Sequence, residues 1–192
     1  MTDWTSLTYV VVDVEGNGHQ PPDLVELAAV PITEGVIGRP TGWLVKPDRP
    51  ITTFARRIHG ITNDDVQDAP VFDRVEDEVR TALDVSVLIA HNAHVDVGVL
   101  QRKLGTWQCP EVFDTLKLAR RLLPGQDSYK LGSLVQALGL AGGLDDDLRP
   151  HRAIYDALVT AKLFVHLATG RTLDDLRDLV PGGEGDAAPT LF

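Results

Sequence analysis

At 192 residues, with 43% hydrophobic and 24% charged residues, the chain has the composition of one well-buried globular domain, and its length disfavours two. A formal net charge of -10 argues against a general basic nucleic-acid binder, and a single cysteine, Cys109, excludes an internal disulfide or a cysteine-based metal cluster. No apolar run approaches the ~18 residues that span a bilayer, and the first residues show no secretory pattern, so a cytoplasmic protein with no membrane span is expected.

Residues 9–14 are a β-branched run carrying Asp13-Val14-Glu15, which reads as a buried strand. Side chains alternate along a strand, so Asp13 and Glu15 share a face. Taken alone, the pair marks either a strand end dipping into solvent or two buried charges that need compensation, for which divalent cations are the obvious candidate. A Gly/Pro-rich loop over 16–22 leads to a second strand at 24–30. Thr33-Glu34-Gly35 then turns into a third strand over about 36–45, interrupted by Gly38 and Pro40. Short connections make these three an antiparallel meander.

Residues 51–57 suggest a short helix leading into Ile58-His59-Gly60-Ile61-Thr62. A helix over 71–83 follows, with Val71, Val75, Val79 and Leu83 on its apolar face. The apolar run 85–90 ends in His91-Asn92 and reads as a buried strand; 95–104 is helical, 111–114 a fifth strand, and Leu116, Leu118, Ala119 and Leu122 mark the next helix. Residues 129–138 are helical by pattern, 139–147 are a Gly- and Asp-rich loop, and a long helix runs from near Pro150 to about Ala168. In it Ile154, Leu158, Ala161, Val165 and Ala168 form a core stripe, while Ala153, Asp156, Ala157 and Thr160 offer small side chains for close approach. A short helix over 172–180 ends a single domain of residues 1–180, and 181–192 read as a disordered tail. The expected fold is α/β: a mixed sheet of about five strands, a meander followed by parallel strands, flanked by helices.

Carboxylates or histidines coincide with structural punctuation at Asp13 and Glu15, at His91 to Asp96, at Asp114, and at His151 with Asp156. If the first, fourth and fifth strands run parallel, those strand ends meet at one sheet edge, where α/β active sites sit. Each alone has a plainer reading as a helix cap or an exposed helix start.

The ordered set Asp13-Val14-Glu15, His91-Asn92-Ala93-His94-Val95-Asp96 and His151-Arg152-Ala153-Ile154-Tyr155-Asp156 resembles the three motifs of the DEDDh (DnaQ-like) 3'-5' exonucleases. Ile58-His59-Gly60-Ile61-Thr62 and residues 131–140 are similar to further family features, so the resemblance covers about residues 8–168. It implies a ribonuclease H-like fold, with two divalent cations, Mg2+ or Mn2+, held by Asp13, Glu15 and Asp156, and with Asp96 completing the site partly through water. It also implies His151 as the general base, for which an imidazole's ordinary pKa near ~6.5 is suitable. The implied substrate is a single-stranded 3' end, DNA before RNA, held by Gly16, Asn17, Gly18, His19, His91 and Asn92. Asp114 lies outside the signature and reads as a structural cap.

Many members follow the first-motif Glu with Thr-Thr-Gly and an apolar residue, where this chain has Gly16-Asn17-Gly18-His19. That departure bears on the grip on the last base, with His19 available for stacking. Arg56, Arg57, Lys117, Arg120, Arg149 and Arg152 are candidates for phosphate contacts. The resemblance extends to a DNA polymerase or sliding clamp as partner, and Pro189-Thr190-Leu191-Phe192 is similar to clamp-docking peptides but lacks their glutamine.

Overall fold

The structure, a computed structural model, describes residues 2–177. In chain order the elements are β1 (Thr8–Gly16), β2 (Leu24–Thr33), β3 (Val36–Ile37), β4 (Thr41–Leu44), α1 (Thr53–His59), α2 (Glu76–Ala82), β5 (Val87–Ala90), α3 (His94–Leu104), β6 (Glu111–Asp114), α4 (Thr115–Leu122), α5 (Leu131–Leu138), α6 (Ala153–Ala168) and α7 (Leu173–Arg177). The sheet has six strands in the order β3-β2-β1-β5-β6, with β4 also paired to β2. β2 runs antiparallel to β1, whereas β5 and β6 run parallel to it. This is the mixed sheet expected, with one correction: the third strand is two short strands laid along β2, because the chain leaves the sheet around Gly38 and Pro40.

Alternation along the strands divides the core between two faces. Tyr9, Val11, Ala28, Val30, Ile89 and Phe113 pack under α4, α5 and α6. Val10, Val12, Leu27, Ala29, Leu88 and Ala90 pack under α2 and α3. The α6 face continues along β1 to Asp13 and Glu15, two and four residues beyond Val11. The sheet thus delivers both carboxylates under the helix that carries Asp156. The small residues of α6 permit that close crossing: Ala153, Ala157, Thr160 and Ala161 are buried, while Ile154, Leu158 and Val165 of the expected stripe are half-buried at its margin. Gly42 on β4 completes the fit, since a Cβ there would lie 2.8 Å from Ile154 Cδ1.

Several boundaries move for local reasons. α1 starts at Thr53 because Thr52 caps it, accepting from the Ala55 amide at 3.2 Å. The expected helix over 71–83 is a 3-10 turn, Phe72–Arg74, followed by α2; Phe72 enters the core and Val71 stays exposed. α5 begins at Leu131, because the Tyr129 carbonyl is turned away to His91 Nε2. α6 begins at Ala153, three residues after Pro150, since His151 has φ 61° and cannot lie in a right-handed helix. The tail over 181–192, its clamp-like end, and the last residues of the expected terminal helix lie outside the described residues. Among the described residues no helix is long and apolar enough to cross a membrane.

Candidate active site

Asp13, Glu15 and Asp156 each offer a carboxylate oxygen, and these oxygens lie within 4.8 Å of one another. That separation is bridged by two oxygen–cation bonds of about 2.1–2.4 Å, and an all-oxygen donor set suits a hard divalent cation. The electrostatics agree. Asp13 is held well above the ordinary carboxylate range, first by burial and then by the charges of Asp96, Asp156 and Glu15. Glu15 is pushed up to about 8 by burial, then by Asp156 and Glu26, with Arg152 opposing. Asp156 rises to about 6, where burial outweighs His151 and its amide. The cluster therefore lacks positive charge, which bound cations would supply.

Asp96, in the first turn of α3, is buried and stands outside that close trio. Its Oδ1 accepts from the Val14 amide at 3.0 Å, which ties α3 to the middle of the Asp13-Val14-Glu15 segment. Burial moves its carboxyl up to about 7 although the Val14 N–H pulls the other way.

His151 is exposed, and with Asp13, His91, Tyr155 and Asp156 it lines a cavity of about 610 Å³. Its amide donates to Asp156 Oδ2 at 3.1 Å. The cavity runs past Lys130, Leu131 and Val135 of the α5 region, and a second recess of about 530 Å³ shares His91, Lys130 and Leu131 and adds Asn92 and Arg120.

The other candidates divide. His91 has both ring nitrogens engaged: Nε2 donates to the Tyr129 carbonyl at 3.0 Å, so Nδ1 accepts from the Thr115 hydroxyl at 2.9 Å. Burial lowers its pKa, consistent with that neutral form. Asn17 is fully buried and its groups are turned inward. Its amide nitrogen donates to the Arg49 carbonyl, its Oδ1 accepts from the His19 and Asp23 amides, and its own N–H donates to the Asp23 carbonyl. Asn17 therefore shapes the loop, and a direct hold on substrate by its side chain or N–H is not available. Gly18, with φ 82°, lies against Thr52 and Ala55, and His19 Nε2 is 3.1 Å from the Pro50 carbonyl. Asp114 is the cap it was expected to be, accepting from the Asn92, Ala93, Leu116 and Lys117 amides.

Two contributors have roles that the sequence did not assign, although His59 lies in the Ile58-His59-Gly60-Ile61-Thr62 stretch noted above. His59 accepts from the Ile61 amide through Nδ1, and its Nε2 donates to the Gly16 carbonyl at 3.3 Å, holding the loop after Glu15. Glu26 receives Arg152, which removes that arginine from the free phosphate-binding candidates. The only sequence signal for Glu26 was a lone charge inside the apolar run of β2.

The sequence profile of a family described as exonuclease matches residues 10–164. The 3'-5' exonuclease DinG of Bacillus subtilis (strain 168) is 35% identical over 178 residues, covering 89% of this chain but 18% of that protein. Exodeoxyribonuclease 10 of Escherichia coli (strain K12) is 36% identical over 171 residues, covering 88% of this chain and 73% of that one. The structure of Exonuclease X in complex with 5' overhanging duplex DNA superposes with a TM-score of 0.73 at 34% identity, covering 89% of this chain and 98% of that chain. With the motif residues gathered at one sheet edge and these relatives alongside, the chain belongs to the exonuclease family, in its DEDDh type.

Proposed function

We propose that the protein is a metal-dependent 3'-5' exonuclease that hydrolyses the last phosphodiester bond of a single-stranded 3' end and releases a 5'-mononucleotide, acting on DNA in preference to RNA. The observation that carries this is the Asp13, Glu15 and Asp156 trio, with His151 on the cavity that Asp13 and Asp156 line. Preference for DNA is supported by the names of the matches that are covered over most of their length, Exodeoxyribonuclease 10 among the curated sequences and DNA-bound Exonuclease X among the solved structures. RNA or short oligoribonucleotides are the second reading, favoured by a net charge of -10, which disfavours long polyanions. The free Cys109 suits a reducing cytoplasm.

In this reading Asp13, Glu15 and Asp156 would hold a pair of divalent cations, Mg2+ or Mn2+, and Asp96 would complete the site, partly through water. Cations held there would supply charge neutralisation of the phosphoryl group and of the attacking and leaving oxygens. The chain's own residues do the rest. His151 takes the proton of the attacking water. The Asp156 carboxylate keeps the His151 backbone in place, and Asp96 keeps Val14, hence Asp13 and Glu15, in register. The loop over Gly16 to His19, braced by Asn17 and His59, receives the terminal nucleotide, with the His19 ring as the stacking surface. His91 and Asn92 border the path of the adjoining strand, where Lys130 and Arg120 meet phosphates.

The test uses 5'-labelled single-stranded DNA and RNA of equal length with Mg2+, Mn2+ or EDTA. A ladder descending one nucleotide at a time and abolished by EDTA is expected, faster on DNA. No degradation of either polymer or of dinucleotides with either metal would reject the proposal.

A further inference from the structure

Between Leu24 and Val30, β2 carries a single charge. Glu26 sits opposite Glu15 in the β1–β2 register, on the face of Asp13 and Glu15, and is 6% exposed. A carboxylate at that depth persists only when its charge is neutralised and its oxygens are hydrogen-bonded. One short segment, 126 residues away in sequence, supplies both. Arg152 forks onto it, Nε donating to Oε2 at 3.0 Å and Nη2 to Oε1 at 2.5 Å. The Ala153 amide, the first of α6, donates to Oε2 at 2.9 Å.

The residue before Arg152 is His151, whose φ of 61° lies in the left-handed region. Such a conformation is unfavourable for a residue with a Cβ and survives where its surroundings over-determine it. Here the 151–153 backbone is held from both sides: the His151 amide by Asp156, and the Arg152 side chain with the Ala153 amide by Glu26. Asp156 does not need this brace, because the buried Ala153, Ala157, Thr160 and Ala161 already seat α6 on the sheet. The turn before the helix does need it.

We infer that Glu26 is a positioning residue which, through Arg152 and the Ala153 amide, locks the left-handed His151 turn and so aims the imidazole at the Asp13, Glu15 and Asp156 cluster. The inference rests on the exonuclease reading above for the use made of His151. It also gives Arg152 an internal role where a phosphate contact was the alternative.

Glu26→Gln keeps the side-chain volume and an acceptor for the Ala153 amide but removes the charge that holds the guanidinium fork. With the full chain, Mn2+ and the p-nitrophenyl ester of thymidine 5'-monophosphate, kcat is expected to fall roughly 10–100-fold, as for partners that orient a reacting group. KM is expected to stay within about threefold and calorimetric Mn2+ affinity to change less than kcat, because Asp13, Glu15 and Asp156 are all kept and Glu26 acts on them through charge alone. Arg152→Gln should give a similar loss, and the double variant should lose no more than about threefold beyond the worse single variant, since the two act as a unit. In nuclear magnetic resonance spectra, the His151 amide and Cα signals should move in E26Q while those of the α6 interior stay. Wild-type kcat in folded E26Q, multiplying losses in the double variant, or lost kcat with unmoved His151 signals would each overturn the inference. If E26Q does not fold, Arg152→Gln carries the same assays and the same criteria. Should the wild type hydrolyse neither the ester nor any oligonucleotide, the exonuclease reading fails, and the His151 signals still decide whether Glu26 holds the turn.

Discussion

Replacing Glu15 by Gln should make the metal-free protein more stable at pH 8, although it removes a residue of the site. The Glu15 carboxyl is shifted from 4.5 to about 8 in the folded state, by burial and then by Asp156 and Glu26. A raised folded-state pKa means that protonation favours the fold. The stability this group contributes is complete below pH 4.5 and is lost as the pH rises through about 8. At ~1.4 kcal/mol per pKa unit, keeping the carboxyl in the fold at pH 8 costs about 4 kcal/mol relative to a neutral group of the same shape. A partly buried amide gives back about 1–2 kcal/mol of that through its own desolvation. The net gain is about 2–3 kcal/mol, or roughly 4–12 °C in Tm for a chain of this size. The assay is thermal melting of wild type and E15Q in EDTA at pH 4.5, 6.5 and 8, then with Mn2+. The variant should lie level with or slightly below wild type at pH 4.5, where the amide's cost is unopposed, and be most favoured at pH 8, and Mn2+ should raise the wild-type Tm more than the variant's. An E15Q melting point at or below wild type at pH 8 in EDTA, or an advantage equal at all three pH values, would refute the electrostatic account of the cluster.

Other outcomes follow from the same contacts. His151→Ala should lower kcat by roughly 10²–10⁴ while the Mn2+-induced rise in Tm persists, as read by single-turnover hydrolysis and melting. Asp13→Ala and Asp156→Ala should abolish hydrolysis with the circular dichroism spectrum unchanged; wild-type rates in either would remove it from the metal-binding role. Asp114→Ala leaves the Asn92, Ala93, Leu116 and Lys117 amides without their shared acceptor and should destabilise by about 2–4 kcal/mol in urea unfolding. Gly42→Ala places a methyl 2.8 Å from Ile154 Cδ1 and should destabilise by about 1–3 kcal/mol, with relief in a Gly42→Ala, Ile154→Val double variant.

The chemistry was legible in the sequence where it depends on local period. Two residues of strand carry Asp13 and Glu15 to one face whatever the rest of the chain does, and the run from Val85 into His91 announces a strand that ends at the site. Asp114 was likewise readable as a cap from its place before Leu116. The order and spacing of the three motifs then identified the family. Composition and periodicity also set the layered α/β architecture, since a meander followed by alternating helices and strands has few ways to bury its apolar faces.

What only the tertiary structure decided are relations between residues far apart in sequence. Local pattern could not tell that Asn17 turns inward to organise its loop, because its partners lie at Arg49 and Asp23. It placed His151 in a helix start, whereas a left-handed turn held through Glu26, a whole domain away in the chain, sets the imidazole's direction. The trio of carboxylates is likewise a product of the fold: β1 carries two, α6 the third, and only the small side chains between helix and sheet bring them within 4.8 Å. Sequence periodicity encodes which face a side chain takes; the packing of distant elements determines what it meets there.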